Sequence, residues 1–288
     1  MQLNNNIDKI IRRVLNEELG VSSVVTNATF DIMNQIENKS DDELRYYPPT
    51  INRHYPLKAT NIDYEIANGI TIRLNVSIVD FDSDEELLRF KKLYPKEGSD
   101  ILKAKTSKLT NDSKIPINIT IVRVGGRITE GNYETLQHEL EHAFQKAMKK
   151  GELSDDRYNK NIDVLSKSTN SLLRKVSRVN YLSYKHEQDA FANGLYALLK
   201  HSKCDLNEID DVIKESTFYN TLNEMKRAVS FWEDQLGNEE TEAILRKYFN
   251  YGVDIVLKRA KKVVNEFVKR LGRIKTLYLQ ELTKKEIK

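Results

Sequence analysis

The sequence predicts an α+β fold, predominantly helical, in which a small antiparallel or mixed sheet supports one functional helix between helical N- and C-terminal segments. Three observations predict it. Residues 70–81 and 115–124 alternate with the period of a strand. The stretch after Gly125-Gly126 switches to helical period. All five prolines (Pro48, Pro49, Pro56, Pro95 and Pro116) precede residue 117, so the rest of the chain lacks the residue that most disrupts helices. The predicted organisation is an N-terminal helical segment over 1–65, a central α+β region over 66–203 and a C-terminal helical segment over 204–288.

At the N-terminus, Ile7, Ile10, Ile11, Val14 and Leu15 form a helical stripe broken by charged residues, not the apolar run of a secretion signal or membrane span. A hydrophobic content of 39% in 288 residues suffices for a sizeable core. The 46 basic and 43 acidic residues leave a net charge of +3, which gives the whole chain no electrostatic footprint for nucleic acid. A single cysteine, Cys204, excludes an internal disulfide and suits a reducing compartment. A cytoplasmic location is therefore expected, the host's cytoplasm if the abundant Asn, Lys and Ile mark a phage gene.

In the central region, Ile70, Ile72, Leu74, Val76 and Ile78 alternate with Thr71, Arg73, Asn75 and Ser77, which predicts a half-buried strand. A second strand is predicted over 115–124, with Ile115, Ile117, Ile119 and Ile121 on one side and Gly125-Gly126 as the turn that ends it. Residues 94–114 between them are polar and read as a surface loop.

The following helix carries the chemistry. His138-Glu139-Leu140-Glu141-His142 is an HExxH motif. Positions i and i+4 are one helical turn apart, so both imidazoles project from one face and can grip one metal ion, while Glu139 lies within reach of a water on that metal. Asn132 is the expected N-cap, and Leu136, Leu140, Ala143, Phe144 and Ala147 form an apolar stripe roughly opposite the two histidines. A catalytic zinc site needs a third protein ligand. No further histidine follows His142 at short range, so that ligand comes from elsewhere. The leading candidate is Glu187, which shares a helical face with Phe191, Gly194 and Leu198, because a carboxylate on an apolar stripe requires a partner. His186, Asp163 and Asp155 are the rivals. Asp189 projects to nearly the opposite side and is expected to face solvent or to sit behind the ligands, and Gly194 is placed to let the HExxH helix approach closely. Tyr184, one turn before Glu187, and Tyr181 upstream are the candidate donors to a developing oxyanion.

Residues Thr135 to Phe144 resemble the active-site helix of gluzincin metallopeptidases, and Glu187-Gln188-Asp189-Ala190-Phe191-Ala192 is similar to the glutamate-bearing helix of ImmA/IrrE-type peptidases. The resemblance covers about a fifth of the chain. It implies a zincin-like catalytic region within 66–203, Zn2+ held by His138, His142 and Glu187, general base duty for Glu139, and a peptide or protein substrate. It also implies that the strand before the HExxH helix, residues 117–124, lends a free edge to the substrate backbone.

The C-terminal segment reads as a long amphipathic helix. Its apolar stripe runs from Val253 to Leu277, and its other face carries Lys258, Arg259, Lys261, Lys262, Lys269, Arg270, Arg273 and Lys275. Such a face reads first as the solvated side of a helix that packs against its own domain, and it also leaves nucleic acid, an anionic membrane or an acidic partner open. The competing reading is therefore a non-enzymatic phage or mobile-element interaction protein on a zincin-like scaffold that acts through this helix. Trp232 is expected to pack within the same helical segment.

Overall fold

The computed structural model of the chain describes residues 23–51, 53–67, 70–96, 104–106, 114–148 and 164–286. The fold is α+β and predominantly helical, as expected. The N-terminal stripe at Ile7 to Leu15 and the rival ligands Asp155 and Asp163 lie outside the described residues.

The described residues divide into two compact units, one drawing on 23–148 and 193–204, the other on 164–192 and 205–286. In the first, α1 (Ser23–Glu37) precedes β1 (Arg45–Tyr47), β2 (Leu57–Ala67) and β3 (Ile70–Phe81). There follow α2 (Asp84–Leu93), β4 (Ala104–Thr106), β5 (Lys114–Val124), β6 (Arg127–Ile128) and α3 (Glu130–Met148). The strands form a mixed sheet in the order β1-β2-β3-β5-β4, with β6 attached to β5. Among the described residues, only the β3–β5 pair is parallel.

Alternation along the strands decides the faces. Ile72, Leu74, Val76 and Ile78 of β3 and Ile115, Ile117, Ile119 and Ile121 of β5 point to one side. There they meet Ile32, Met33 and Ile36 of α1 and Tyr133, Leu136, Leu140 and Ala143 of α3. On the opposite side, Val79, Phe81 and Val122 pack against Leu87 and Phe90 of α2. The rest of that side is polar: Arg73 makes a two-pronged ion pair with Asp63, and Asn75 donates to Asn118. The Gly125-Gly126 turn is a two-residue hairpin in which both glycines have positive φ (55° and 78°), conformations that glycine adopts without strain.

Two boundaries differ from the sequence reading. The segment 1–65, expected to be helical, holds β1 and most of β2, and β2 pairs with β3 along its length. The single region expected over 66–203 is divided, because one continuous helix, α5 (Lys185–Ser202), gives residues up to Ala192 to one unit and Asn193 onward to the other. The polar stretch expected as a loop over 94–114 contains β4.

Among its described residues, the second unit is all helical: α4 (Ser171–Leu182), the first turns of α5, α6 (Ile209–Glu215), α7 (Thr217–Asp234), α8 (Glu239–Phe249) and the 34-residue α9 (Val253–Glu286). Asn170, Ser216 and Asn238 cap α4, α7 and α8 by accepting from backbone N–H groups in their first turns. Phe218, Trp232 and Phe267 are fully buried, and the rings of Phe218 and Phe267 lie 4.9 Å apart. Among the described residues, no helix is long and apolar enough to cross a membrane.

Candidate metal centre

The HExxH helix α3 starts two residues before its expected cap. Asn132 lies inside its first turn, fully buried, and reaches back to the sheet: its Oδ1 accepts from Val122 N (2.9 Å) and Thr129 Oγ1 (2.8 Å), and its Nδ2 donates to Thr120 O (3.0 Å). The side chain thus satisfies strand groups, not helix groups, and locks α3 onto β5. It also closes the edge that the resemblance assigned to a substrate. Residues 117–119 pair with β4, 123–124 pair with β6, and Asn132 and Thr129 take up the backbone at 120 and 122. With β3 on its other side, β5 has no open edge over 117–124, so the expected strand addition there is corrected.

Leu136, Leu140 and Ala143 are buried against the sheet, while His138 and His142 are half-buried on another face of the helix. Their Nε2 atoms converge to 3.0 Å, with the rings perpendicular at 90°. Two imidazole nitrogens bound to one tetrahedral zinc at about 2.0–2.1 Å would stand about 3.3 Å apart, close to the separation seen. Glu139, also half-buried, follows His138 directly, about 100° around the helix.

Two contacts set the register of α5 against α3. Tyr133 stacks on His201 with ring centroids 3.6 Å apart, and Gly194 meets Glu134 so closely that a Cβ there would lie 2.9 Å from Glu134 Cγ. Early α3 residues thus contact late α5 residues, so the helices run antiparallel. Glu187 precedes Gly194 by two turns, about 10 Å along the axis, much as His138 and His142 follow Glu134 along α3. The structure accordingly brings one donor atom each from His138, His142 and Glu187 within 4.8 Å of one another, a group able to hold a metal ion. Glu187 is buried at 7% exposure. The expected close approach at Gly194 is present.

Around Glu187, His186 Nε2 stands 3.3 Å from its Oε1. Tyr184 stacks on His186 (5.2 Å, 27°), with its hydroxyl oxygen buried. Tyr181, the other candidate donor, instead lies under the Arg178 guanidinium at 5.6 Å. His186, a rival for the ligand role, is outside the three-donor group and touches Glu187.

Of the two placements expected for Asp189, the structure excludes one. Asp189 does not face solvent. It is buried, and its Oδ1 accepts from Nε and Nη2 of Arg270 on α9 at 3.2 and 2.8 Å. Sequence reasoning missed this partner, which sits 81 residues away and had been counted with the exposed basic face. Other cations of that face are engaged as well: Arg259 donates to Asn180 (2.8 Å) and lies over Tyr251, Lys261 pairs with Glu233 (2.8 Å), and Lys275 pairs with Asp210. Lys258, Lys262 and Lys269 are exposed.

Compared with models of known families, with curated proteins and with solved structures, the chain matches none. The metal-ligand cluster is therefore read from its own residues.

Proposed function

We propose that this chain is a zinc-dependent metallopeptidase of the gluzincin type that hydrolyses peptide bonds in a peptide or protein substrate. The observation that carries the reading is the convergence of His138, His142 and Glu187, with Glu139 directly after the first histidine. The donor set supports zinc over harder cations: two imidazoles and a carboxylate form a common catalytic zinc set, whereas calcium and magnesium prefer oxygen alone. A zinc ion held there would act as a Lewis acid, making water a nucleophile near neutral pH and polarising the scissile carbonyl.

The protein's own groups supply the remaining steps. Glu139 takes the proton of the attacking water and delivers it to the leaving amine, a base that becomes an acid. The Tyr184 phenol donates to the developing oxyanion. A site meant only to hold a structural metal has no use for Glu139, which favours an enzyme over an inert scaffold. The engagement of Arg259, Lys261, Arg270 and Lys275 within their own unit weakens the rival reading, in which the C-terminal helix presents a free basic face.

Elemental analysis of purified wild type beside Glu187→Ala tests the site. One zinc per chain in the wild type and a large loss in the variant are expected. No zinc in the wild type, even after reconstitution, would overturn the proposal.

A further inference from the structure

We propose that Arg270 is a positioning residue for the metal centre: through Asp189 it fixes the first turns of α5, and with them the Glu187 carboxylate. The inference rests on the zinc site proposed above, and it gives the long C-terminal helix a role in building that site.

Glu187 is the third residue of α5, in the turn whose N–H groups have no partners within the helix and which frays most readily. A ligand placed there has to be held from outside. Three contacts hold this turn within its own unit. Gln188 Nε2 donates to Leu182 O at 2.8 Å, across the short link from α4. Phe191 packs on Phe267 of α9 at 6.0 Å. Arg270 supplies the ionic contact, donating twice to Asp189 Oδ1, with side-chain exposures of 8% and 12%.

The surroundings of Arg270 show why this contact is specific. Its Nη1 donates to Glu266 at 2.9 Å, one turn earlier on α9, so its own helix orients the guanidinium before Asp189 meets it. The neighbouring buried positions of α9, Val263, Phe267 and Ile274, are apolar, so a charge in this register is costly to desolvate. A buried ion pair adds little net stability over an apolar pair of similar volume, but a guanidinium gripping a carboxylate with two donors fixes orientation. Residues that support metal ligands from behind typically alter affinity by about 10–100-fold when lost.

The test uses the full-length protein. Zinc affinity is measured by competition with a chromophoric chelator for wild type, Arg270→Gln, Arg270→Lys, Glu187→Ala and Lys269→Gln, and Co2+ is loaded to record its visible spectrum. Arg270→Gln should weaken zinc binding by about 10–100-fold. It should also lower the intense cobalt band of a four-coordinate site in the same direction as Glu187→Ala, a change in ligand set that loss of stability alone does not produce. Arg270→Lys, which keeps the buried charge but lacks the fork, should fall between. It also serves as the test if Arg270→Gln does not fold. Lys269→Gln, exposed on the same helix, should match wild type. If either Arg270 variant folds and keeps wild-type affinity and spectrum while Glu187→Ala loses zinc, the positioning role is overturned and the zinc site stands. If the wild type binds no zinc, both are overturned.

Discussion

Replacing Gly194 by alanine sets two effects of known size against each other. Alanine is about 1 kcal/mol better than glycine inside a helix, and Gly194 lies well inside α5. The added Cβ, however, would stand 2.9 Å from Glu134 Cγ and 3.0 Å from the Glu134 carbonyl oxygen. Ordinary carbon contacts begin near 3.5 Å, so α3 and α5 would have to part by roughly 0.5 Å. The carbonyl belongs to the backbone of α3 and no side-chain rotation relieves it. Overpacking of this kind costs about 1–3 kcal/mol, so after the gain in propensity the net expectation is a loss of up to about 2 kcal/mol. Urea unfolding of the metal-free protein, followed by far-ultraviolet circular dichroism, reads the difference. The same displacement acts on Glu187 two turns away, so zinc affinity should fall as well. A rise in stability of about 1 kcal/mol, the value propensity alone predicts, with zinc affinity unchanged would refute the close approach as the element that registers the two helices.

Further expectations concern the chemistry and the sheet. Glu139→Gln should keep zinc while hydrolysis falls by about 10²- to 10⁴-fold, the usual contribution of general acid–base catalysis; equal turnover by variant and wild type would remove Glu139 from that role. Stripping the metal with a chelator should abolish hydrolysis, and zinc addition should restore it, as followed with a fluorogenic peptide. Asn132→Ala should destabilise the sheet unit by roughly 1–3 kcal/mol for each buried strand group left unpaired, Val122 N–H and Thr120 C=O, as read by chemical denaturation. Burial of Asp80 opposes its charge, but the hydrogen bonds and charges of Arg123 and Lys58 outweigh this and hold its carboxyl below the ordinary 3.8. Its stabilisation is therefore complete above pH 3.8 and is lost as pH falls through the lower folded-state value. Asp80→Asn should accordingly be less stable than wild type at pH 7, with the gap narrowing below pH 3.8; a gap independent of pH would contradict the ion pair.

The sequence was legible where periodicity and burial agree. β3 and β5 show full alternation because one side of each is core, and the HExxH face and Glu187 stand out against apolar stripes. β2 escaped because its inward positions include Lys58 and Thr60, and it is flanked on one side only by the three-residue β1. β4 is too short to show a period. Asn132 has the composition of a helix cap, but its amide serves the strand ten and twelve residues earlier, a pairing only the tertiary fold reveals. The placement of Asp189 stayed open between solvent and a position behind the ligands for a related reason. A charge on the far side of an amphipathic helix reads as solvated unless its partner is known, and Arg270 lies on another helix late in the chain.

The division of α5 also orders events in time. During synthesis α3 and its two histidines leave the ribosome well before Glu187, and Asn193 to Cys204, which complete the sheet-bearing unit, follow only then. Arg270 emerges later still, more than eighty residues after Glu187. A polypeptide that has emerged only as far as α3 thus lacks Glu187, and the Asp189 clamp cannot form until Arg270 has followed. For the zinc site proposed above, that order delays completion until both units have been made.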